Sequence, residues 1–393
     1  MASTLQRIFQ QHFSTFAQDR SLPPHWYRAA NKIARCRTAA LGGHVQACPE
    51  GHIERVWYNS CRHRTCCQCN RMQMDRWLSK QTARLIDCCH HHIIFTIPHD
   101  LNVLWMRNTP VMMELLFHCA RDSLQQLLMD ERRLGRAEPG FMLALHTWGR
   151  TLSLHPHLHC LITDGGLDRD GWVNPKGSCF IPARVLMAKF RGKFIAMLRQ
   201  SLCSGELILP EDMPAQALQN CLNKLGRTKW NVHIRERYGH GNGVMQYLAR
   251  YVRGGPLRNG QLMPIDCDRI AFRYTPHTDS GTPCRSSVMT LTCEAFLRRY
   301  LQHVPEHGKH TVRSYGLYAP KKSAALNRAR AALGQPVVAS VAAITWQAYY
   351  QRYAKQPVAH ICPVCRRPVT NMRRLTPHHD PPRGLDNARG LHA

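Results

Sequence analysis

The feature that most constrains the fold is a short stretch in which histidines alternate with apolar residues, Leu154 to Ile162 (LHPHLHCLI). In a β-strand successive side chains point to opposite faces, so His155, His157 and His159 share one face. The apolar residues share the other face and can bury against a core. Incidental histidines on a half-buried strand are the alternative, but three imidazoles in strict alternation favour a divalent metal site.

A second informative stretch is the segment from Val244 to Val252 (VMQYLARYV), which lies between glycine-rich breaks and predicts a helix. Tyr247 and Tyr251 are spaced i and i+4, so both hydroxyls leave the same helix face. Two tyrosines at this spacing are by themselves typical of packing. Together with the histidine strand they are a much rarer combination.

This combination resembles the HUH endonucleases with two active-site tyrosines, and specifically the rolling-circle transposases of one family of bacterial insertion sequences. The resemblance covers most of the chain in the family's order. It is carried by LGGH at 41–44, NSCR at 59–62, HIIFTIP at 92–98, HTWG at 146–149, HPHLHC at 155–160 and RSYGL at 313–317. Thr65 is a departure, because the family pattern has a histidine just before Cys66.

The resemblance implies a DNA transposase that cleaves and transfers single-stranded DNA through a 5′-phosphotyrosine intermediate and so drives rolling-circle transposition. Tyr247 and Tyr251 are then the nucleophiles, and we expect Tyr247 to attack first. The implied partner is DNA, especially the single-stranded ends of the element that encodes the protein. The oligomeric state is left open.

A catalytic Mg²⁺ or Mn²⁺ ion is expected at His157 and His159, and imidazole ligands shift the preference toward Mn²⁺. Related replication enzymes supply a third ligand on the adjoining strand, a place that His146 occupies here. His92 is the other candidate for the third ligand. For His155, the alternative to direct coordination is a position behind the ligands, where it would orient them.

The formal net charge of +28 at pH 7 indicates a polyanionic partner, and nucleic acid is the first candidate. The sequence has no apolar run long enough to span a membrane and no apolar signal peptide, so we expect a cytoplasmic, nucleoid-associated protein. In that compartment the 18 cysteines favour metal sites over disulfides.

A structural zinc ion is expected in a ribbon near the N-terminus. We predict Cys48, His52, Cys66 and Cys69 as its ligands, since a Cys-x3-His pair and a Cys-x2-Cys pair are separated by a hairpin-sized gap. Cys61 is a competing ligand, and Cys36 is a more distant one.

Near the C-terminus, Cys362 and Cys365 form a Cys-x2-Cys pair, which is half of a zinc knuckle without an evident second pair. Whether this pair binds a second zinc ion is left open. His360, His378 and His379 are candidates to complete the site.

Four arginines are predicted to contact DNA phosphates: Arg62 and Arg64 in the cysteine-rich region, and Arg250 and Arg253 beside the tyrosines. Ordinary solvated surface charge is the alternative for each of them.

The predicted fold class is α+β, with a central antiparallel sheet and helices packed on one face, preceded by a helical and zinc-ribbon N-terminal domain. The predicted strands are 92–98, 140–148, 154–162 and 230–234, and the predicted helices between them include 109–134 and 182–202. Five domains or segments are predicted. The N-terminal helices occupy 1–40, and the zinc ribbon with a connecting helix occupies 41–90. The catalytic domain at 91–255 is followed by a basic continuation at 256–325, and the remainder, 326–393, contains a helix, the Cys-x2-Cys pair and a disordered tail.

Two other functions are compatible with these patterns. A rolling-circle replication initiator or plasmid relaxase would share the chemistry, although no G-x-x-x-x-G-K-[ST] loop indicates an attached helicase. A non-catalytic zinc-dependent DNA-binding protein would share the charge and the cysteines, but it would form no covalent adduct with DNA.

Overall fold

The computed structural model describes residues 4–176, 180–235, 237–243, 245–246, 254–264, 268–276, 286–353 and 361–377. The chain divides into two compact units. The cysteine unit comprises residues 1–77, 253–304 and 342–393, and the sheet unit comprises 78–252 and 305–341.

The described residues form helices and strands throughout both units. The helices are α1 (Thr4–Ala17), α2 (Pro24–Ala34), α3 (Arg71–Arg84), α4 (Asn102–Arg107), α5 (Thr109–Leu128), α6 (Ala183–Cys203), α7 (Ala215–Arg227), α8 (Cys293–Leu301), α9 (Ser323–Ala332) and α10 (Trp346–Tyr353). The strands are β1 (Gly43–Ala47), β2 (Glu54–Tyr58), β3 (His90–Thr96), β4 (Gly140–Trp148), β5 (Leu154–Thr163), β6 (Gly166–Leu167), β7 (Trp172–Val173), β8 (Val232–Ile234), β9 (Arg269–Tyr274), β10 (Ser287–Thr292), β11 (Val312–Gly316) and β12 (Thr370–Leu375).

The sheet unit is built on a five-stranded antiparallel sheet in the order β11-β4-β5-β3-β8. Strands β4 and β5 form the predicted hairpin, since the turn between them is too short for a crossover helix. Their register places His146 directly opposite His157. The edge strand β11 contains the Arg313 to Gly316 motif, which the sequence patterns had not assigned to a strand.

Alternation along each strand determines which face of the sheet is buried under helices. Phe95 on β3, Leu143 on β4 and Cys160 on β5 belong to one continuous apolar core together with residues of α4, α5, α6 and α7. The Phe95 ring lies 5.1 Å from that of Phe190 on α6. The predicted class, an antiparallel sheet with helices on one face, is therefore confirmed.

The cysteine unit joins chain segments that are far apart in sequence. Its three-stranded sheet has the order β12-β1-β2, so a C-terminal strand pairs with an N-terminal hairpin. The ring of Phe9 on α1 lies 5.6 Å from the ring of Tyr300 on α8. The Tyr300 hydroxyl donates to the backbone carbonyl of Thr65 at 2.5 Å.

Among the described residues, no helix has both the length and the apolar character needed to cross a membrane.

Candidate active site and metal centres

Three histidines of the sheet unit converge on the sheet face opposite the apolar core. His146 comes from β4, and His157 and His159 come from β5, with one ring nitrogen of each within 4.8 Å of the others. The geometry follows from the strands, because His157 and His159 are two residues apart and His146 is the cross-strand neighbour of His157. The ring centroids of His146 and His159 lie 4.2 Å apart. We call these three residues the histidine triad.

Burial keeps the triad uncharged. It lowers the pKa of His157 to about 4 and that of His146 and His159 well below the usual value. Imidazole binds a metal ion in its neutral form, so these side chains need not lose a proton at neutral pH before they coordinate one.

A backbone contact sets the tautomer of His157. Its Nδ1 lies 2.6 Å from the carbonyl oxygen of His155. A carbonyl oxygen can only accept, so Nδ1 carries the proton and Nε2 retains its lone pair. His155 thus supports His157 through its main chain, while its own ring stacks on His99 with centroids 5.1 Å apart.

His92, considered as the third ligand, instead lies behind His159. Its Nε2 is 2.8 Å from Nδ1 of His159, and it is not a member of the triad. Because His92 is on β3, the strand that pairs with β5 on its other side, its ring reaches His159 diagonally across the sheet. The arrangement is that of a histidine oriented by a hydrogen bond from behind.

Seven residues named in the sequence analysis lie outside the described part of the chain. They are Tyr247, Arg250, Tyr251 and Arg253, and the candidate zinc ligands His360, His378 and His379.

The cysteine unit contains two groups of candidate metal ligands, and neither has the membership that the sequence patterns predicted. Cys48 and His52 lie with Cys362 and Cys365, whereas Cys66 and Cys69 lie with Cys36 and Cys61. The predicted grouping of Cys48 and His52 with Cys66 and Cys69 is therefore replaced by two separate sets. The physical reason is the pairing of β12 with β1, which brings a second cysteine pair to the Cys48 turn.

The first group, Cys36, Cys61, Cys66 and Cys69, consists of four thiols contributed by a single region of the chain. The sulfur atoms of Cys61 and Cys69 are 3.6 Å apart, close to the ~3.8 Å edge expected for a tetrahedral zinc site with bonds of 2.3 Å. Backbone N–H groups of Cys61 and His63 donate to the sulfurs of Cys36 and Cys61. The Thr65 hydroxyl bonds to His63 at 2.9 Å and lies outside the group.

An open basic cleft of about 710 Å³ lies beside the strands of the cysteine unit. Its lining brings Arg62 together with Arg373 and Arg374 of β12. The predicted DNA contact Arg62 is thus placed in a cationic depression, whereas Arg64 is not part of its described lining. The two β12 arginines escaped sequence reasoning because nothing local connects them to Arg62.

Comparison with known proteins finds two family profiles that match the chain. The family profile for the transposase zinc-binding domain matches residues 8–97, and a second profile, described as "Putative transposase", matches residues 140–325. A Sinorhizobium fredii protein named "Putative transposase y4qJ" is 33% identical over 368 residues, which cover 91% of this chain and 92% of that protein. The chain belongs to the transposase family with an IS91-type zinc-binding domain.

A second relative of the transposase is the protein named "Transposase for insertion sequence element IS801" from Pseudomonas savastanoi pv. phaseolicola. It is 28% identical over 299 residues, which cover 73% of this chain and 69% of that protein. No solved structure gives a significant match.

Each of the two matched regions contains one group of candidate metal ligands. The histidine triad lies within the matched transposase region, and the four thiols of the first cysteine group lie within the zinc-binding region. The expected structural zinc is thereby supported at the level of the domain. Cys362 and Cys365 lie outside both matched regions.

Proposed function

We propose that this transposase cleaves single-stranded DNA at the ends of its own element and transfers the strand through a 5′-phosphotyrosine, in a rolling-circle process. The observation that carries the proposal is the triad: three neutral imidazoles converge on one rigid sheet face. Such a group gives a DNA-cleaving enzyme a site for a divalent ion that can polarise the scissile phosphate.

The residues that would hold a catalytic ion are His146, His157 and His159. Mg²⁺ or Mn²⁺ bound there would supply a Lewis acid for a phosphate oxygen, and the imidazole donors favour Mn²⁺. The donor set fits such an ion, because Nε2 of His157 keeps its lone pair while Nδ1 is tied to the main chain. Three protein ligands also leave coordination positions for DNA and water.

The nucleophiles are Tyr247 and Tyr251. The phenol of one tyrosine loses its proton to solvent, and its oxygen forms a bond to the scissile phosphorus. The bond from phosphorus to the 3′ oxygen breaks, and that oxygen takes up a proton to give a free 3′ hydroxyl. The phosphodiester energy is kept in the phosphotyrosine, so attack by another 3′ hydroxyl reverses the step without ATP.

Nearby cations would favour the attack. A free tyrosine titrates near pH 10, so its phenolate forms at neutral pH only in positive surroundings. We assign that role to Arg250 and Arg253, which also hold the flanking phosphates. Two tyrosines allow a second cleavage while the first strand end remains attached.

DNA is held mainly through its backbone. The net charge of +28 provides a sequence-independent attraction. The cleft adds the guanidinium groups of Arg62, Arg373 and Arg374. A guanidinium group can donate two parallel hydrogen bonds to two oxygens of one phosphate. Arg64, in the same region, is proposed as a further phosphate contact.

The deciding experiment is covalent capture on a suicide oligonucleotide taken from the DNA that flanks the gene, with Mn²⁺ present. Tyr247→Phe and Tyr251→Phe should each lose one of the two covalent events, and the double variant should form no adduct on a denaturing gel. Tyr27→Phe, in the cysteine unit, is the matched control and should behave like the parent. If the double variant still forms the adduct, these tyrosines are packing residues and the mechanism is wrong.

A further inference from the structure

The second cysteine group joins a turn near the N-terminus to a turn near the C-terminus. We propose that Cys48, His52, Cys362 and Cys365 bind a second structural zinc ion, separate from the ion of the four-thiol group. The ligand atoms of all four residues lie within 4.8 Å of one another. The inference does not depend on the proposed strand-transfer function.

The distances fit a shared ion and do not fit a disulfide. The sulfur atoms of Cys48 and Cys365 are 3.2 Å apart, far longer than the ~2.05 Å of an S–S bond. Nδ1 of His52 lies 3.6 Å from the sulfur of Cys48. The nitrogen–sulfur separation is close to the ~3.5 Å edge of a tetrahedron around zinc, with bonds of about 2.3 Å to sulfur and 2.0 Å to nitrogen. The sulfur–sulfur separation is about 0.6 Å shorter than the corresponding edge.

In both turns the backbone is tightly folded, with a hydrogen bond and a residue of positive φ, so that the two ligands of the turn lie close together. In the first turn, the N–H of Glu50 donates to the Cys48 sulfur at 3.4 Å, and Gly51 adopts a φ of 75°. In the second turn, the N–H of Arg366 donates to the carbonyl of Cys362 at 3.0 Å, and Arg366 adopts a φ of 62°. A non-glycine residue rarely adopts positive φ, so the tight second turn is held by its surroundings.

Strand pairing brings the two turns together. Cys48 directly follows β1, and Cys365 comes shortly before β12. In the antiparallel register Ala47 pairs with Thr370, so the end of one strand meets the start of the other. The Arg367 guanidinium also pairs with the Glu50 carboxylate across the two turns.

The ligand chemistry selects zinc. Three thiolates and one imidazole form a soft set that suits Zn²⁺, whereas Mg²⁺ and Ca²⁺ require oxygen ligands. A short three-stranded sheet has little apolar core of its own, so the ion would supply much of the free energy that keeps β12 in place.

Zinc content tests the proposal. All proteins in the test carry His157→Ala and His159→Ala, so that zinc bound at the triad does not enter the count. This parent should hold two zinc ions per chain, and Cys362→Ser with Cys365→Ser should hold one. The control pair Cys203→Ser and Cys221→Ser removes two thiols that belong to neither group and should keep two ions.

A conservative variant distinguishes loss of a ligand from loss of the fold. Cys365→His should keep two metal ions, and after Co²⁺ replacement its thiolate-to-metal absorption should fall by one thiolate's share relative to the parent. If the parent holds one zinc and the Cys362/Cys365 variant keeps it, the proposal is overturned. An unchanged cobalt spectrum for Cys365→His would overturn it equally.

Discussion

Nε2 of His92 on β3 lies 2.8 Å from Nδ1 of His159 on β5, so one buried histidine orients another from behind. For His159 to coordinate through Nε2, its Nδ1 must carry the proton and donate it to His92. The orientation of this candidate ligand is thus determined by a residue that does not itself join the triad.

His92→Ala should weaken Mn²⁺ binding by about 10–100-fold, because removal of an orienting hydrogen bond typically costs that much affinity. His92→Gln should recover part of the loss, since its amide oxygen can accept from Nδ1 of His159. Mn²⁺ titration monitored by electron paramagnetic resonance provides the measurement. His233→Ala, an exposed neighbour on β8, is the control, and equal affinity for His92→Ala and this control would contradict the role.

Replacing His157 and His159 together with alanine should abolish cleavage but leave DNA binding intact. The helix-facing residues of the same strand, Leu158 and Cys160, are unchanged and keep the core. Lewis-acid stabilisation is worth several kcal/mol, so adduct formation should fall by on the order of 1000-fold. Gel-based adduct yield and fluorescence anisotropy on the same oligonucleotide separate the two properties. Loss of binding in parallel with cleavage would indicate a structural role.

The sheet unit should become less stable as the solution is acidified. Burial lowers the pKa of His90 to about 4, and this effect exceeds the opposing one of the Cys88 carbonyl, which lies 2.9 Å from Nδ1 and raises the pKa. The Tyr318 hydroxyl lies 2.7 Å from Nε2 of the neutral ring. An unfolded histidine titrates near 6.5, so below that pH the unfolded chain binds more protons than the folded one. The contribution is fully present above pH 6.5 and is lost as pH falls toward 4, at up to about 1.4 kcal/mol per pH unit.

Urea unfolding from pH 7.5 to 4.5 measures this dependence. His90→Gln should show a shallower fall in the free energy of unfolding with decreasing pH than the parent. His240→Gln, at an exposed position, should retain the parent's slope. Identical slopes for all three proteins would show that His90 does not contribute.

Binding to single-stranded DNA should weaken steeply with salt, because cationic contacts release counterions from the strand. Arg62→Ala and Arg374→Ala should each reduce the slope of log K against log salt by about 0.7, the value for one phosphate contact on a single strand. Arg132→Ala removes an exposed charge from the sheet unit and serves as the control. If both cleft variants have the same slope as the control, the cleft does not contact the DNA phosphates.

Local patterns were sufficient to predict the strands that contribute the histidine triad. Alternation from Leu154 to Ile162 identified β5, and the short turn after Trp148 predicted its hairpin with β4. The resemblance to related replication enzymes suggested His146 as the third ligand, and the hairpin register does bring it to His157 and His159. These inferences succeed because register in a hairpin is determined by nearby residues.

Contacts between distant segments could not be predicted in this way. Cys48 and Cys365 are 317 residues apart, and no periodicity relates them. The four-thiol group includes Cys36 and Cys61, which sequence analysis had ranked below Cys48 and His52. Standard ligand spacing favoured a Cys-x3-His pair, whereas strand pairing with β12 moved that pair to another site.

Because β1 pairs with β12, the cysteine unit cannot be completed until a late stage of synthesis. At about 5–20 residues per second, a ribosome needs roughly 15 s to one minute to travel the 317 residues from Cys48 to Cys365. During that interval the N-terminal hairpin has an unpaired edge and an incomplete set of ligands. Arg373 and Arg374 join Arg62 only after synthesis has passed residue 374, so a copy that stops earlier lacks the complete cleft.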